Sequence, residues 1–165
     1  MTGLTRLYQN LPLPAGQVAG IAAIMVLERI RPVPLRGPRL LRRAAGSLAL
    51  AGGCAINVWA IIERRRRTVG EFELERPQSL VATGPYAFTR HPMYVGWWLI
   101  HLGVGLLRGS GWVVAAVPAA TLVEHFGVVA EERALERTFG DEWVRYRDRV
   151  PRYVGLRVGR DSRAS

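Results

Sequence analysis

Nineteen consecutive uncharged residues, Ala44 to Ile62, run through Glu63 into Arg64-Arg65-Arg66-Arg67. A helix of nineteen residues is about 28 Å long at 1.5 Å per residue, close to the hydrocarbon thickness of a bilayer. A segment this apolar, stopped this sharply by positive charge, reads as a transmembrane helix whose basic end lies at the membrane surface. Three more apolar segments accompany it: Ala15 to Leu27 (extended by Leu11 and Leu13), Met93 to Leu107, and Trp112 to Ala130. The chain is 49% hydrophobic with a mean hydropathy of +0.08, yet carries a net charge of +10. Those values coexist because apolar and charged residues are segregated along the sequence. The expected fold is all-α, an integral membrane helical bundle of about four membrane helices forming one domain over residues 1–165. Residues 1–62 would supply its N-terminal membrane helices.

The first apolar segment lacks the early basic region and cleavage site of a signal peptide. Its small residues, Ala15, Gly16, Ala19, Gly20, Ala22 and Ala23, suit close helix packing in lipid. Arg29 to Arg43 reads as a basic, proline-rich connector. Thr68 to Thr89 reads as an ordered loop, and Arg108-Gly109-Ser110-Gly111 as the tight turn of a membrane hairpin. The tail from Glu131 has a helical pattern to about Arg147. Segments 64–90 and 131–165 together hold fifteen arginines, whereas the hairpin tip has only Arg108. Positive residues favour the cytoplasm, so both segments are expected to meet there. The connector 29–43, with six arginines, resists this pattern. Either the first segment is re-entrant, or the connector is tolerated on the opposite face, and the sequence leaves both open.

A sequence pI near 11.2 also describes nucleic-acid binders. Here the arginines flank apolar spans and no nucleic-acid module is visible, so attraction to anionic lipid head groups explains the charge better. The single cysteine, Cys54, lies in an apolar stretch and excludes an intrachain disulfide. No metal-ligand set is expected.

The chemically suggestive segment is Gly84-Pro85-Tyr86-Ala87-Phe88-Thr89-Arg90-His91-Pro92-Met93-Tyr94-Val95-Gly96, which runs into Trp97-Trp98-Leu99-Ile100. Arg90 and His91 stand where a basic surface loop becomes a buried helix. Pro92 suits the first helical position, where its missing N–H removes nothing the helix would use. The first-turn N–H groups, with His91 beside them, form a site for an anion or a carboxylate-bearing ligand. A plain helix start with an interfacial Tyr and Trp belt is the competing reading.

A second cluster follows about forty residues on: Glu131-Glu132-Arg133-Ala134-Leu135, Phe139-Gly140-Asp141-Glu142-Trp143, Tyr146, and Val150-Pro151-Arg152-Tyr153. The order G-x-Y-x-x-x-R-H-P-x-Y-x-G, E-E-x-x-L, F-G-x-x-W-x-x-Y and V-P-R resembles the isoprenylcysteine carboxyl methyltransferase family, a superfamily that takes in phospholipid N-methyltransferases. The resemblance covers Gln78 to Tyr153, while residues 1 to 70 match nothing but in hydrophobicity. It implies S-adenosylmethionine as cofactor and a cofactor-binding core over residues 78–153, built by the 64–92 loop and the 131–153 tail. Carried over by motif position, the cofactor residues would be Gln78, Ser79, Leu80, Val81, Tyr86, His91, Pro92, Met93, Tyr94 and Glu131.

The chemistry is consistent with that set. A sulfonium nucleoside wants a carboxylate for its ribose hydroxyls or positive charge (Glu131), donors for its own carboxylate (the His91-Pro92 helix start, with Tyr94), and an apolar slot for adenine (Leu80, Val81, Tyr86). Tyr86 and Tyr94 could instead be interfacial anchors, and Glu131 a solvated helix start, a role its neighbour Glu132 serves equally well. A carboxylate acceptor needs only alignment and exclusion of water, whereas a phenol or amine must lose a proton. Glu124 and His125 are ionisable groups in a membrane hairpin and so mark function, although both lie near enough to its end to reach water. His101, deeper, is expected to be hydrogen-bonded between helices. Eukaryotic prenylcysteine enzymes carry a substrate-holding arginine four residues before the first glutamate of E-E. Here that position is Gly127, with Arg133, Arg152 or His125 as substitutes.

The expected protein is thus a methyltransferase of the bacterial inner membrane, its site facing the cytoplasm, with His91, Glu131, His125 and Arg152 carrying the chemistry. Its acceptor would be a lipophilic small molecule in contact with membrane lipids: a phenol, an isoprenoid acid or a phospholipid amine. A sterol-reductase-like oxidoreductase using a nicotinamide cofactor shares part of the R-H-P-x-Y-x-G region and is the alternative enzyme. A non-catalytic membrane subunit is the third reading.

Overall fold

The structure is a computed structural model and describes residues 14–67 and 79–155. Five α-helices carry the described chain: α1 (Ala15–Ile30), α2 (Arg39–Arg67), α3 (Pro92–Arg108), α4 (Val113–Phe139) and α5 (Asp141–Arg149), with a 3-10 turn at Gly84–Ala87 before α3. Among the described residues there is no β-strand, only an isolated bridge between Pro34 and Ser110. The all-helical expectation holds.

Three boundaries differ from the sequence reading. The connector is shorter, because α2 starts at Arg39, with the Arg42 N–H bonded to the Pro38 carbonyl at 3.1 Å. At the other end the arginine run ends the apolar span but not the helix, which continues to Arg67. Arginine is a good helix former, and positive charge at a helix C-terminus complements the dipole. The tail helix is likewise no separate element at Glu131. Nothing between Ala130 and Phe139 breaks a helix, so α4 runs to Phe139 and ends at Gly140, whose φ of 51° admits a glycine at no steric cost.

Helices α2 and α4 are long and apolar enough to cross a membrane. Their large apolar side chains face outward, as at Leu48, Val58, Leu122 and Phe126. Rows of exposed apolar side chains are costly in water and at home in lipid, which makes this a membrane bundle. Helices α1 and α3 have 16 and 17 residues, or about 24 and 26 Å, short of the full hydrocarbon thickness.

Packing in lipid favours small residues, and the bundle follows that rule. Helix α3 lies mainly along α2, and α1 along α4. A Cβ at Gly53 of α2 would collide with the Gly96 carbonyl of α3, and one at Gly103 would come 2.7 Å from the Leu50 nitrogen. Gly16 and Gly20 of α1 press on Glu124 and His101 in the same way. There Gln17, fully buried, donates from its backbone and side-chain nitrogens to Glu124 at 3.0 and 2.8 Å. The Gln17 side-chain oxygen is 2.7 Å from His101 Nδ1. His101 is therefore an interhelical hydrogen-bonding residue, as expected. Glu124 is buried and engaged, not the water-reaching group its position suggested.

The connector is stitched to the hairpin turn. Leu35 N–H donates to Gly109 O at 2.7 Å, Gly111 N–H to Val33 O at 2.6 Å, and Arg108 pairs with Glu28 at 2.8 Å. Connector and tip thus share the end of the bundle remote from His91. Helix α1 leads toward that end instead of turning back.

Candidate functional site

Three segments converge at the other end: the turn before α3, the last third of α4, and the segment following α5. The 3-10 turn is docked on α2 by the Thr83 hydroxyl, which donates to the Glu63 carboxylate. That contact sets the course of Thr89-Arg90-His91 into Pro92, the first residue of α3. The C-terminal segment folds back over it. Arg90 N–H donates to Pro151 O at 2.9 Å and the Thr89 hydroxyl to Arg152 O at 2.9 Å. The Tyr146 hydroxyl donates to Tyr86 O at 2.8 Å. Beneath, Trp143, Tyr146 and Val150 form a small core packed with Leu80, Leu135 and Phe139.

Glu132 is the hub. One carboxylate oxygen accepts from Arg90 Nε at 3.0 Å and lies 3.1 Å from His91 Nε2. The other accepts from Arg152 Nε at 3.0 Å and Nη2 at 2.7 Å. Arg90 also donates through Nη1 to the carbonyls of Arg147 (2.8 Å) and Val150 (3.2 Å), and its guanidinium lies over the Trp143 ring. Burial pushes the Arg90 pKa down from its ordinary value, and the Glu132 charge pulls it back up. Hydrogen bonding to Glu132 raises that of Arg152. Tyr86 is pushed up to about 12, chiefly by burial, so its phenol stays neutral.

The expected site residues fall into distinct groups. His91 is buried at the centre and stacks edge-on against Tyr94. Pro92 is buried at the helix start and Met93 half-buried beside it. Glu131 is the open carboxylate: its side chain is 45% exposed, and its oxygen stands 4.0 Å from His91 Nδ1. The exposures of the two glutamates are the reverse of the solvated role given to Glu132. Arg152 is bound to Glu132 and so is not a free guanidinium waiting for a substrate. Leu80 and Tyr86 pack against the C-terminal segment, Val81 is half-buried, and Ser79 is exposed with its hydroxyl on Arg67 O. Gln78 lies outside the described residues.

His125 is not in this hub but one layer deeper. Its Nδ1 is 3.0 Å from the Tyr153 hydroxyl, and the Tyr153 ring lies against Trp98 with centroids 4.7 Å apart. Tyr153 and Trp98 were missed as site residues, as was Glu63. The motif V-P-R-Y pointed at the first, but nothing in the sequence ties Glu63 to Thr83.

The arrangement defines a helical membrane protein with a charged site at the mouth of its bundle. The phospholipid methyltransferase family (PEMT) matches residues 41–142, well over half of the chain, and the chain belongs to that family. It is also similar to protein-S-isoprenylcysteine O-methyltransferases. With that of Schizosaccharomyces pombe it is 37% identical over 79 residues, covering 47% of this chain and 33% of the relative. With that of Rattus norvegicus it is 33% identical over 97 residues (55% and 34%). With that of Homo sapiens it is 36% identical over 76 residues (44% and 26%). The match spans about a third of the length of these relatives. No solved structure matches the chain.

Proposed function

We propose that the chain is an S-adenosylmethionine-dependent methyltransferase acting on a lipophilic acceptor held between its membrane helices. The observation that carries this reading is the division of labour between adjacent glutamates. Glu132 is paired with Arg90 and Arg152 and hydrogen-bonded by His91, which leaves Glu131 half-exposed beside His91, 4.0 Å from its Nδ1. A donor set of one open carboxylate, a helix start whose first-turn N–H groups have no partner among the described residues, and flanking aromatic rings fits a cationic amino-acid nucleoside. Glu131 would hold the positive charge or the ribose. His91 and the α3 first turn would face the ligand's carboxylate, and Tyr94 would close one side. Met93, Leu80 and Val81 would complete the adenine end. When bound, the cofactor supplies an electrophilic methyl group. The chain's own task is to align that methyl with the acceptor and keep water out.

The relatives' names make a prenylated cysteine one candidate acceptor. The position where a substrate-holding arginine is expected is Gly127, where an added Cβ would meet nothing within 4 Å. Arg152, one of its expected substitutes, is occupied by Glu132. An anionic acceptor would lack a charge-assisted bond worth about 1.5–3 kcal/mol, while a neutral amphiphile would lose nothing. The test is methyl transfer by the purified chain to a farnesylated cysteine analogue, a long-chain phenol and phosphatidylethanolamine. The expected result is weak turnover on the first and clear turnover on at least one of the others. Efficient methylation of the prenylcysteine alone would refute this acceptor assignment.

The positive charge of α2's C-terminal end supports a site on the cytoplasmic side of a bacterial inner membrane. A cysteine at Arg66, in a Cys54→Ala background, should label from that side only. One at Gly109 should label from the other, and labelling of both from one side would contradict the topology.

A further inference from the structure

Glu124 and Glu132, the buried carboxylates of α4, are both engaged. Glu124 accepts from Gln17 and lies 3.4 Å from Trp98 Nε1, Glu132 holds two guanidiniums, and His101 pairs with Gln17 through Nδ1 while its Nε2, without a partner among the described residues, is sealed inside the bundle. His125 differs. Its ring is half-buried and not sealed in; among the described residues its one hydrogen bond is to the Tyr153 hydroxyl through Nδ1, and none bonds its Nε2. Its neighbour Phe126 is 70% exposed toward lipid, and the two rings contact each other. On the other side Tyr153 reaches the donor corner, with its ring 6.2 Å from His91 and 4.7 Å from Trp98. The His125–Tyr153 pair therefore bridges the lipid-facing surface of α4 and the corner where the methyl donor is placed.

We propose that His125 is the proton acceptor for the methyl acceptor, positioned by Tyr153, and that the site is built for a weakly acidic hydroxyl such as a phenol. This rests on the methyltransferase reading above. Imidazole is the side chain best matched to proton removal near neutral pH. With Nδ1–H donated to the Tyr153 oxygen, Nε2 is left as the base. The acceptor O–H bond breaks and its proton passes to Nε2. The oxygen's electron pair forms the O–CH3 bond as the C–S bond of the sulfonium donor breaks, its electrons remaining on sulfur. The imidazolium, its N–H still bonded to Tyr153, then returns the proton to water. A carboxylate acceptor, already ionised, would make no use of the pair.

The experiment uses the full chain in lipid nanodiscs and two acceptors with the same long tail, one with a simple phenol head and one with a nitrophenol head that is ionised before it binds. His125→Asn is expected to lower kcat/KM on the simple phenol by about 100-fold, in the range of general-base contributions, and to spare most turnover of the ionised one. Tyr153→Phe should show the same selectivity with a smaller loss, about 10-fold, as a positioning residue does. Equilibrium binding of S-adenosylmethionine should be unchanged in both variants, which also reports that they are folded. Equal losses on both acceptors would overturn the assignment in favour of a packing role, as would undiminished turnover of the simple phenol. A wild-type chain that binds the cofactor yet methylates only carboxylates overturns this proposal alone. One that binds no cofactor refutes the methyltransferase reading itself.

Discussion

Replacing Glu132 with alanine is expected to destabilise the chain by about 3–5 kcal/mol, the range seen when one partner of a buried ion pair is removed. The Glu132 side chain is 7% exposed, and those of Arg90 and His91 are 8% and 4%. Without the carboxylate, Arg90 keeps the carbonyls of Arg147 and Val150 and the Trp143 ring but no counter-charge among the described residues, and Arg152 stands beside it as a like charge. The same contacts hold residues 147–152 over the start of α3. The loss should therefore appear locally as well, as faster proteolysis after α4. The measurement is thermal unfolding in detergent combined with limited digestion, with Arg133→Ala, an exposed position on α4, as the control. A midpoint unchanged from the control, with the C-terminal segment still protected, would show that the hub does not hold this end of the molecule.

Glu131→Gln should do the opposite: leave unfolding unchanged and weaken cofactor binding by about 10–150-fold. That is the affinity equivalent of losing one charge-assisted contact of roughly 1.5–3 kcal/mol. The contrast follows from placement. The Glu131 side chain is half in solvent and makes no close hydrogen bond, so the folded chain loses little when its charge goes. A cationic ligand beside it loses its counter-charge. Near-native affinity in Glu131→Gln would remove Glu131 from the site, and loss of folding would make it a structural residue.

That two adjacent glutamates have such different surroundings was the hardest part of the site to read from sequence. Neighbours on a helix point about 100° apart, so the motif E-E-x-x-L does not say which one faces inward. The phase was present in the chain all the same. Ala120, Glu124, Val128 and Glu132 recur every four residues and are all buried on α4. The stripe mixes apolar and charged residues, so a search for hydrophobic periodicity passes over it. The apolar run 44–62, the hairpin and the meeting of the two motif segments were legible because each follows from a length, a turn residue or a charge block. Contacts set by tertiary geometry were not. Nothing local links Thr83 with Glu63, Gln17 with Glu124, or Tyr153 with His125, pairs separated by 20, 107 and 28 residues. The core made by Trp143, Tyr146 and Val150 lies between these extremes. Its spacing of three and four marks one helical face, but the partner that Arg90 finds there could be known only once the C-terminal segment was seen folding back.

What the mouth of the bundle binds separates a methyltransferase from a nicotinamide-dependent enzyme. Equilibrium binding of radiolabelled S-adenosylmethionine and of NADPH to the purified wild-type chain, measured side by side, decides it. Saturable binding of S-adenosylmethionine that is weakened about 10–150-fold in Glu131→Gln, with none of NADPH, is the predicted result. Saturable binding of NADPH instead, or of neither ligand by a folded chain, would contradict it.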